Sequence, residues 1–364
     1  MGARVLVLWA DGASSNLGVR VLGDGAAALA RQAWGEDAIV DFQSFEFGPL
    51  GTQLSGKIVL RGLLTGSATL RSRMNAYDVV IDTGAGDSFT DIYGIKRLAI
   101  MVYTRRVAKK AGIPVVLAPQ TIGPFRSFFG QVAAKRTLRD AQTVMARDST
   151  SANFAAGLGR KVDCLATDVV FSLPDVATSS VPASDVVLNV SGLLWGTDAH
   201  GSRAAYQELT RELIRRCLAA NRRVTLLAHV LDNASADNDM RAIQPLMDEF
   251  GEELEAFIPT GLDEARAFIA KSNIVIGARM HACLNALSLG KPAIPLAYSR
   301  KFAPLLADIG WPYTIDLNAD EGIANSVMAL LETEGLAAEA LNVRTRAESL
   351  LAVAATHLAD QVKV

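Results

Sequence analysis

Residues 274–301 of the chain read IVIGARMHACLNALSLGKPAIPLAYSRK. A β-branched apolar run ends at Gly277, a helical pattern follows from about His281, and a second apolar run, PAIPLA, ends before Tyr298. Strand, helix and strand in this order are typical of the βαβ unit of a parallel sheet. The stretch also contains two arginines, two lysines and one histidine but no carboxylate. It therefore predicts both a parallel α/β fold and a binding site for a small anion.

The same alternation of strands and helices continues in both directions. In the first half, strand patterns occur at RVLVLW, AIVDF, DVVID, PVVLA, TVMA and KVDCL. The stretch SLPDVATSSVPAS, residues 172–184, interrupts the alternation and is interpreted as a linker. The sequence therefore predicts two Rossmann-like domains, residues 1–175 and 185–335, with a cleft between them, and a closing C-terminal helix at 336–364.

Composition excludes several classes of protein. The chain has 364 residues and a net charge of −2, with 36 basic against 38 acidic residues, so no nucleic-acid partner is expected. Its three cysteines lack any paired spacing, which favours a reducing compartment. No apolar run reaches the roughly 18 residues of a membrane span. These features predict a soluble cytoplasmic protein.

The turn GARMH carries the strongest candidates for chemistry. Ligands of parallel sheets bind where strands end and helices begin, because helix N-termini offer free N–H groups to anions. Arg279 adds a planar donor fork suited to phosphate or carboxylate, and His281 can donate a proton near neutral pH. Arg279 is expected in a loop at the cleft, where exchange for lysine would barely change the melting temperature.

Two further loops offer cationic groups to the same ligand. Tyr298, Arg300 and Lys301 follow the next strand, where a solvated loop is an equal alternative. Arg147, in the turn ARDS of the first domain, is the candidate second clamp on a dianion, and Asp148 is expected to cap the following helix.

Two loops are less specific. TGAGDSFTD, residues 83–91, lacks the Lys-Ser/Thr ending of a nucleotide loop, but its Asp87 is a candidate for binding sugar hydroxyls. His229 precedes Asp232, Asp237 and Asp239, so a metal site is conceivable there. The favoured interpretation is that the aspartates cap the next helix and that His229 contacts the substrate. No metal ligand set and no cofactor are expected.

The order of these motifs resembles the polysaccharide pyruvyl transferase family. The resemblance runs from Asn16 to about Trp311 and includes NLG at 16–18, GAGDSFTDIYG, LAPQTIGPF, ARDSTSANFAAGLG, ATDVVFSLP and residues 274–301. It implies a fold of the glycosyltransferase B type. It also implies transfer of pyruvate from phosphoenolpyruvate to two hydroxyls of a sugar in a surface polysaccharide or exopolysaccharide precursor, as a cyclic ketal.

The resemblance assigns the donor to Arg147, Arg279 and His281, and adds Asn16 and Gly18 on the acceptor side. Met280, Val19 and Ala85 depart from the family pattern. The partners implied are phosphoenolpyruvate and a saccharide that is lipid-linked, nucleotide-linked or polymeric, with membrane association only through that acceptor. Two alternatives stay open: a nucleotide-sugar glycosyltransferase of the same architecture and a non-catalytic divergent homologue.

Overall fold

The apolar, β-branched runs of the sequence form the strands of two parallel sheets. The computed structural model describes residues 2–319 and 322–363. Contacts divide the chain into a first unit (Met1–Ala13, Val19–Leu173 and Ala347–Val364) and a second unit (Ser14–Gly18 and Pro174–Arg346).

The first unit contains a six-stranded sheet in the order β2-β1-β3-β4-β5-β6, and every recorded strand pair in it is parallel. Its strands are β1 (Arg4–Leu8), β2 (Ile39–Gln43), β3 (Val79–Asp82), β4 (Val115–Gln120), β5 (Thr143–Ala146) and β6 (Cys164–Leu165). The helices between them are α1 (Leu17–Trp34), α2 (Gly56–Thr65), α3 (Ala68–Met74), α4 (Ile95–Lys110), α5 (Phe128–Asp140) and α6 (Ser149–Gly157).

The second unit repeats this architecture with the order β12-β11-β10-β7-β8-β9, again with parallel pairs. Its strands are β7 (Ser184–Asn189), β8 (Val224–Leu227), β9 (Glu255–Phe257), β10 (Ser272–Gly277), β11 (Ala293–Ala297) and β12 (Ile315–Asp316). Its helices are α7 (Gly192–Gly196), α8 (Arg203–Ala219), α9 (Met240–Phe250), α10 (Leu262–Ala270), α11 (Met280–Ser288), α12 (Phe302–Asp308) and α13 (Ile323–Leu331), followed by α14 (Leu336–Gln361).

The strand orders locate one switch point in each sheet. In the second unit, β7, β8 and β9 extend to one side and β10, β11 and β12 to the other, so the chain reverses direction between β7 and β10. In the first unit the reversal falls between β1 and β3. Loops diverge at such points and leave a crevice beyond the carboxyl ends of the strands. The turn GARMH follows β10 and the loop TGAGDSFTD follows β3.

The prediction of two Rossmann-like domains of the glycosyltransferase B class is confirmed. All six strand patterns of the first half form strands, and α14 begins at the expected residue 336. The sequence analysis missed β9 and β12, because edge strands of three and two residues carry too short a pattern. None of the helices among the described residues is long and apolar enough to cross a membrane.

One short segment lies in a different unit from the sequence around it. Residues 14–18 belong to the second unit, although the sequence analysis assigned them to the first domain. Asn16 forms an antiparallel bridge with Val230, and the Leu17 N–H donates to the His229 carbonyl at 3.0 Å. These backbone contacts, which no local pattern reveals, place Asn16 and Gly18 beside the loops after β8 and β10.

Candidate functional site

Eight polar residues and one glycine gather at the switch point of the second unit. They come from five separate stretches of the chain and are called the histidine cluster below. Its members are Asn16, Gly18, Asn189, His229, Asp237, Asp239, Arg279, His281 and Asn285.

Arg279 is the buried centre of this cluster. It occupies the N-cap position of α11, and its side chain is saturated by carboxylates. Nε and Nη2 donate to Asp239 Oδ1 at 3.2 and 2.6 Å, Nη1 donates to Asp237 Oδ1 at 2.5 Å, and Nη2 also donates to the Asp237 carbonyl. Burial opposes the charge, but the two carboxylates outweigh it and raise the pKa of Arg279, which stays protonated.

The structure differs from two expectations about Arg279. The residue lies in the loop between β10 and α11, as expected, but only 8 % of its surface is exposed, so its exchange for lysine is no longer expected to leave stability unchanged. The absence of acids from residues 274–301 does not leave its surroundings free of acids, because Asp237 and Asp239 reach it from the loop before α9. Four of its N–H groups are already bound, which leaves one of the five of a guanidinium for any ligand.

Asp239 joins three loops to Arg279. Its carboxylate accepts hydrogen bonds from the backbone N–H groups of Gly192, His229 and Val230 at 2.8 to 3.0 Å. Although Asp239 is the residue before α9, its side chain makes no capping hydrogen bond to that helix. The interpretation of Asp239 as a helix cap was wrong, because its oxygens are committed to Arg279 and to these backbone groups.

His229 is a neutral, oriented imidazole. Burial first, and then the nearby His281 and Arg279, lowers the pKa of His229 to about 3. Arg266 Nη1 donates to Asn285 Oδ1 at 2.8 Å, which turns the Asn285 amide nitrogen towards His229 Nε2 at 3.2 Å. Nε2 is therefore the acceptor, and the single imidazole proton lies on Nδ1.

His281 lies against the segment of residues 16–18. A Cβ atom added at Gly18 would lie 2.8 Å from His281 Nδ1 and 3.1 Å from Asn16 Oδ1, so only glycine permits this approach. Asn285 Nδ2 donates to the His281 carbonyl at 2.7 Å, one turn along α11. The structure thus brings together five predicted site residues, which are Asn16, Gly18, His229, Arg279 and His281.

Arg147 is a buried cation in the first unit with donors left over. Only 1 % of its surface is exposed, at the end of β5. Nη1 donates to Asp168 Oδ2 at 3.0 Å, whereas Nε is 3.9 Å from Asp148 Oδ2. Among the described residues, Nε and Nη2 have no hydrogen-bond partner. Asp148 caps α6 by accepting from the Ser151 N–H at 2.7 Å, as predicted.

Further buried polar atoms surround the same edge of the first sheet. Gln120 Oε1, Thr121 Oγ1 and Thr167 Oγ1 lack hydrogen-bond partners within residues 2–319 and 322–363. They lie at or just after the ends of β4 and β6, the strands on either side of β5, and Arg147 comes directly after β5. Because unsatisfied buried groups are rare in native proteins, this group points to a polar ligand at the carboxyl edge of the sheet.

The glycine-rich loop after β3 approaches this edge. A Cβ atom added at Gly86 would lie 3.9 Å from Arg147 Nη1. Asp87 accepts from the Tyr93 hydroxyl at 2.9 Å. Ala85 departs from the family pattern, and its φ of 48° lies in the left-handed region. Glycine adopts this conformation at less cost than alanine, so the backbone at Ala85 is strained.

Tyr298, Arg300 and Lys301 follow β11, one strand beyond Arg279. Tyr298 and Arg300 line a cavity of about 520 Å³, and the Tyr298 ring lies 5.0 Å from that of His200. Lys301 is at the N-cap position of α12. Among the described residues, no group of three or more His, Cys, Asp or Glu side chains could hold a metal ion.

Sequence reasoning missed the residues that hold the candidates in place. Asn285 is four residues after His281 on one helix face, a spacing that could have indicated it. Asn189 ends β7 and accepts from the Arg279 N–H at 3.0 Å, and Arg266 and Asp168 lie far from their partners in sequence. For these three residues no local signal exists.

The comparisons with known proteins agree with this geometry. The family model for polysaccharide pyruvyl transferase matches residues 16–300, so the chain belongs to that family, as the resemblance predicted. No curated protein matches the chain.

Among solved structures, the fold is similar to that of UDP-GlcNAc 2-epimerase from Neisseria meningitidis bound to UDP-GlcNAc. That structure has a TM-score of 0.58 and 11 % identity, over 98 % of this chain and 100 % of the epimerase. Anabaena HepE in complex with UDP and glucose has a TM-score of 0.51 and 13 % identity, over 98 % of this chain and 97 % of HepE. At these identities the likeness shows the fold alone.

Exchange of Arg279 for lysine is expected to destabilise the protein. Lysine keeps the charge but cannot bind Asp237 and Asp239 together, so at least one charge-assisted bond is lost. We expect the free energy of unfolding in urea to fall by about 1.5–3 kcal/mol. Arg300→Lys, at an exposed position, serves as the control and should change it by less than about 0.5 kcal/mol. Equal stability of the two variants would contradict the buried ion pair.

The buried neutral His229 is expected to make stability depend on pH. Its pKa of about 3 in the folded protein lies below the value near 6.5 of an unfolded chain. The contribution of neutral His229 to the free energy of unfolding is therefore fully present above pH 6.5 and is lost as pH falls towards 3. Between pH 7 and 5, wild type should lose about 2 kcal/mol more than His229→Gln in urea titrations. A wild-type slope in His229→Gln would contradict a buried, neutral His229.

Proposed function

We propose that this protein transfers pyruvate from phosphoenolpyruvate to two hydroxyls of a sugar, forming a cyclic ketal and releasing phosphate. The observation that carries the proposal is the buried Arg147, whose Nε and Nη2 are unsatisfied among the described residues. Family membership supports the same reaction. Phosphoenolpyruvate is a metabolite of central metabolism, so we expect the reaction to take place in the cytoplasm. The acceptor is assigned to surface polysaccharide or exopolysaccharide precursors.

The donor is a small dianion or trianion, and Arg147 matches that chemistry. A guanidinium binds phosphate or carboxylate through parallel N–H groups, and such bonds are stronger where water is excluded. Two free donors on a buried arginine supply this grip at no further cost in desolvation. Arg300 and Lys301 offer additional positive charge, and the first N–H groups of α11 favour an anion near His281.

His281 is assigned as the proton donor. Protonation of the methylene carbon of phosphoenolpyruvate leaves positive charge at C2, which one sugar hydroxyl attacks. Departure of phosphate renews the charge at C2, and the second hydroxyl closes the ketal. One hydroxyl proton replaces the proton that His281 gave up, and the other leaves with phosphate or solvent. His229 is neutral with a pKa of about 3, so it orients neighbours or substrate and does not serve as an acid.

Arg279 has a different role from the anion clamp that its residue type suggests. Its carboxylate partners fix the turn between β10 and α11, and thereby the position of His281. Its one remaining N–H can reach substrate. On the acceptor side, Asp87 and the unsatisfied oxygens of Gln120 and Thr121 can accept hydrogen bonds from sugar hydroxyls.

The second candidate is a nucleotide-sugar-dependent glycosyltransferase. It is favoured by the likeness to structures that hold UDP-GlcNAc or UDP. Residues 274–307, however, contain no Asp or Glu to accept a ribose hydroxyl, and Asp237 and Asp239 are bound to Arg279. A non-catalytic homologue is disfavoured because it would have no use for unsatisfied donors on a buried arginine.

Binding measurements separate these candidates. Phosphoenolpyruvate at a hundredfold excess over its dissociation constant should stabilise the protein by about 2.7 kcal/mol, and UDP-sugars should not. Arg147→Lys keeps the ion pair with Asp168 but removes the unsatisfied donors. It should weaken phosphoenolpyruvate binding about ten- to a hundredfold, with little change in the stability of the free protein. Calorimetric titration and thermal melting give both values.

Arg105→Lys is the matched control, because Arg105 is also buried in the first unit but binds Asp82 through Nε and Nη2. That variant should lose stability and keep its donor affinity once folded. If UDP-sugars stabilise the protein and phosphoenolpyruvate does not, the protein is a glycosyltransferase and the proposed pyruvyl transfer is wrong. The last measurement is phosphate release from phosphoenolpyruvate. We expect release only when a saccharide acceptor is present.

Gly18→Ala tests the position of His281. The added methyl group would lie 2.8 Å from His281 Nδ1, so the imidazole must move. A shift of about 1 Å in a catalytic group can lower turnover on the order of a hundredfold. We expect a loss of that size in kcat for phosphate release. Gly196→Ala, where an added Cβ meets open space, is the control and should retain activity.

A further inference from the structure

Two stretches of the first unit carry positive charge and no acid. Residues 47–77 contain four Lys or Arg side chains and residues 92–139 contain ten, and neither stretch has an Asp or Glu. They form α2, α3, α4 and nearly all of α5. Because the whole chain has a net charge of −2, this is a strong local asymmetry. Such asymmetry indicates a negatively charged partner.

Helix α2 exposes leucines between these charges. Leu60, Leu63 and Leu64 have 60, 68 and 77 % of their surface exposed. Ile58 and Val59 of the same helix are partly buried and pack against the core of the first unit. The helix is therefore apolar on both faces, whereas a helix on the surface of a soluble protein has one polar face. Lys57 and Arg61 lie beside the exposed leucines.

The exposed apolar surface continues from α2 to the start of α5. A Cβ atom at Gly56 would lie 3.2 Å from the Lys96 side chain, so α2 borders the first turn of α4. Asp91 accepts from the N–H groups of Arg126 and Ser127, which joins the segment before α4 to α5. This surface, the basic apolar face, exposes Leu60, Leu63, Leu64, Ile92, Tyr93, Ile95, Phe128 and Phe129 among Lys57, Arg61, Lys96 and Arg126.

A cavity within the same region has room for a charged group. It has a volume of about 340 Å³ and lies between α2 and α3. Arg61, Arg73 and the Tyr103 side chain line it. Arg73 Nη1 donates to the Leu50 carbonyl, and the charge of the two guanidinium groups favours an anionic group such as phosphate in this cavity.

We propose that the basic apolar face binds the anionic surface of a lipid bilayer, with α2 lying in the interface. Leucines flanked by Lys and Arg on a short helix suit this position, since the apolar side chains enter the acyl boundary and the cations remain among phosphates. The face thus supplies membrane attachment of its own, in addition to any contact made through a lipid-linked acceptor. It would hold the enzyme where lipid-linked saccharides are found.

Charge decides against a second copy of the chain as the occupant. A symmetric contact through this face would set Lys57, Arg61, Lys96 and Arg126 against the same residues of the other copy. Like charges in a desolvated interface cost several kcal/mol. An anionic bilayer instead gains from every one of these side chains.

Vesicle co-sedimentation with the full chain tests the proposal. We expect binding to phosphatidylcholine vesicles that contain phosphatidylglycerol, little binding to phosphatidylcholine alone, and weakening as salt is added. Leu60→Gln with Leu64→Gln should lower the partition coefficient about tenfold for each leucine. The control, Leu341→Gln, alters a leucine on α14 that is 54 % exposed outside this face, and it should bind as wild type does.

The charged part of the face is tested separately. Lys57→Glu should weaken binding about fivefold for each of the two units of charge changed. The control, Arg203→Glu, makes the same change at an exposed site on α8 and should have no effect.

Failure of wild type to bind anionic vesicles would overturn the proposal, as would equal binding of the leucine variant. A dimer in sedimentation velocity that Leu60→Gln with Leu64→Gln dissociates would identify a second copy as the occupant. Phosphate release with a soluble saccharide does not depend on the basic apolar face. Loss of vesicle binding would therefore contradict the membrane proposal alone, and absence of activity would contradict the proposed function alone.

Discussion

The buried ion pair between Arg279 and Asp239 is the interaction on which the rest of the histidine cluster depends. Asp239 also holds the backbone N–H groups of Gly192, His229 and Val230, so one carboxylate fixes the loops that follow β7 and β8 and ties them to the turn after β10. Removing one partner of such a pair leaves a buried charge uncompensated, at a cost of about 3–5 kcal/mol. The loops of the histidine cluster therefore depend on one another for their positions.

The buried arginine of the first unit, Arg147, and that of the histidine cluster in the second unit, Arg279, have opposite kinds of surroundings. Arg279 has carboxylate or carbonyl oxygens on four of its N–H groups, and it organises protein around itself. Arg147 has one short bond to Asp168 and two nitrogens without partners among the described residues. A guanidinium buried without full pairing is costly, so it persists where a ligand supplies the missing acceptors. Residue type alone does not separate these two roles.

The small net charge of the chain hides an uneven distribution of charged residues. The chain is nearly neutral because acids elsewhere offset α2 to α5, which are basic and carry exposed leucines and phenylalanines. A polar substrate site at the carboxyl edge of a sheet and an apolar, basic surface on helices demand different chemistry. The first requires fixed, desolvated donors, whereas the second works with mobile side chains at an interface.

The sequence by itself determined the class of fold, the family and the loops that could hold ligand, because strand and helix periodicity and the turn GARMH are local features. It also indicated Arg147 and His281. Only the tertiary structure decided what each arginine binds, since Asp237 and Asp239 lie about 40 residues before Arg279 in sequence. Likewise, the contact of Gly18 with His281 and the neutrality of His229 arise from close approach and burial, which depend on distant segments and leave no local pattern.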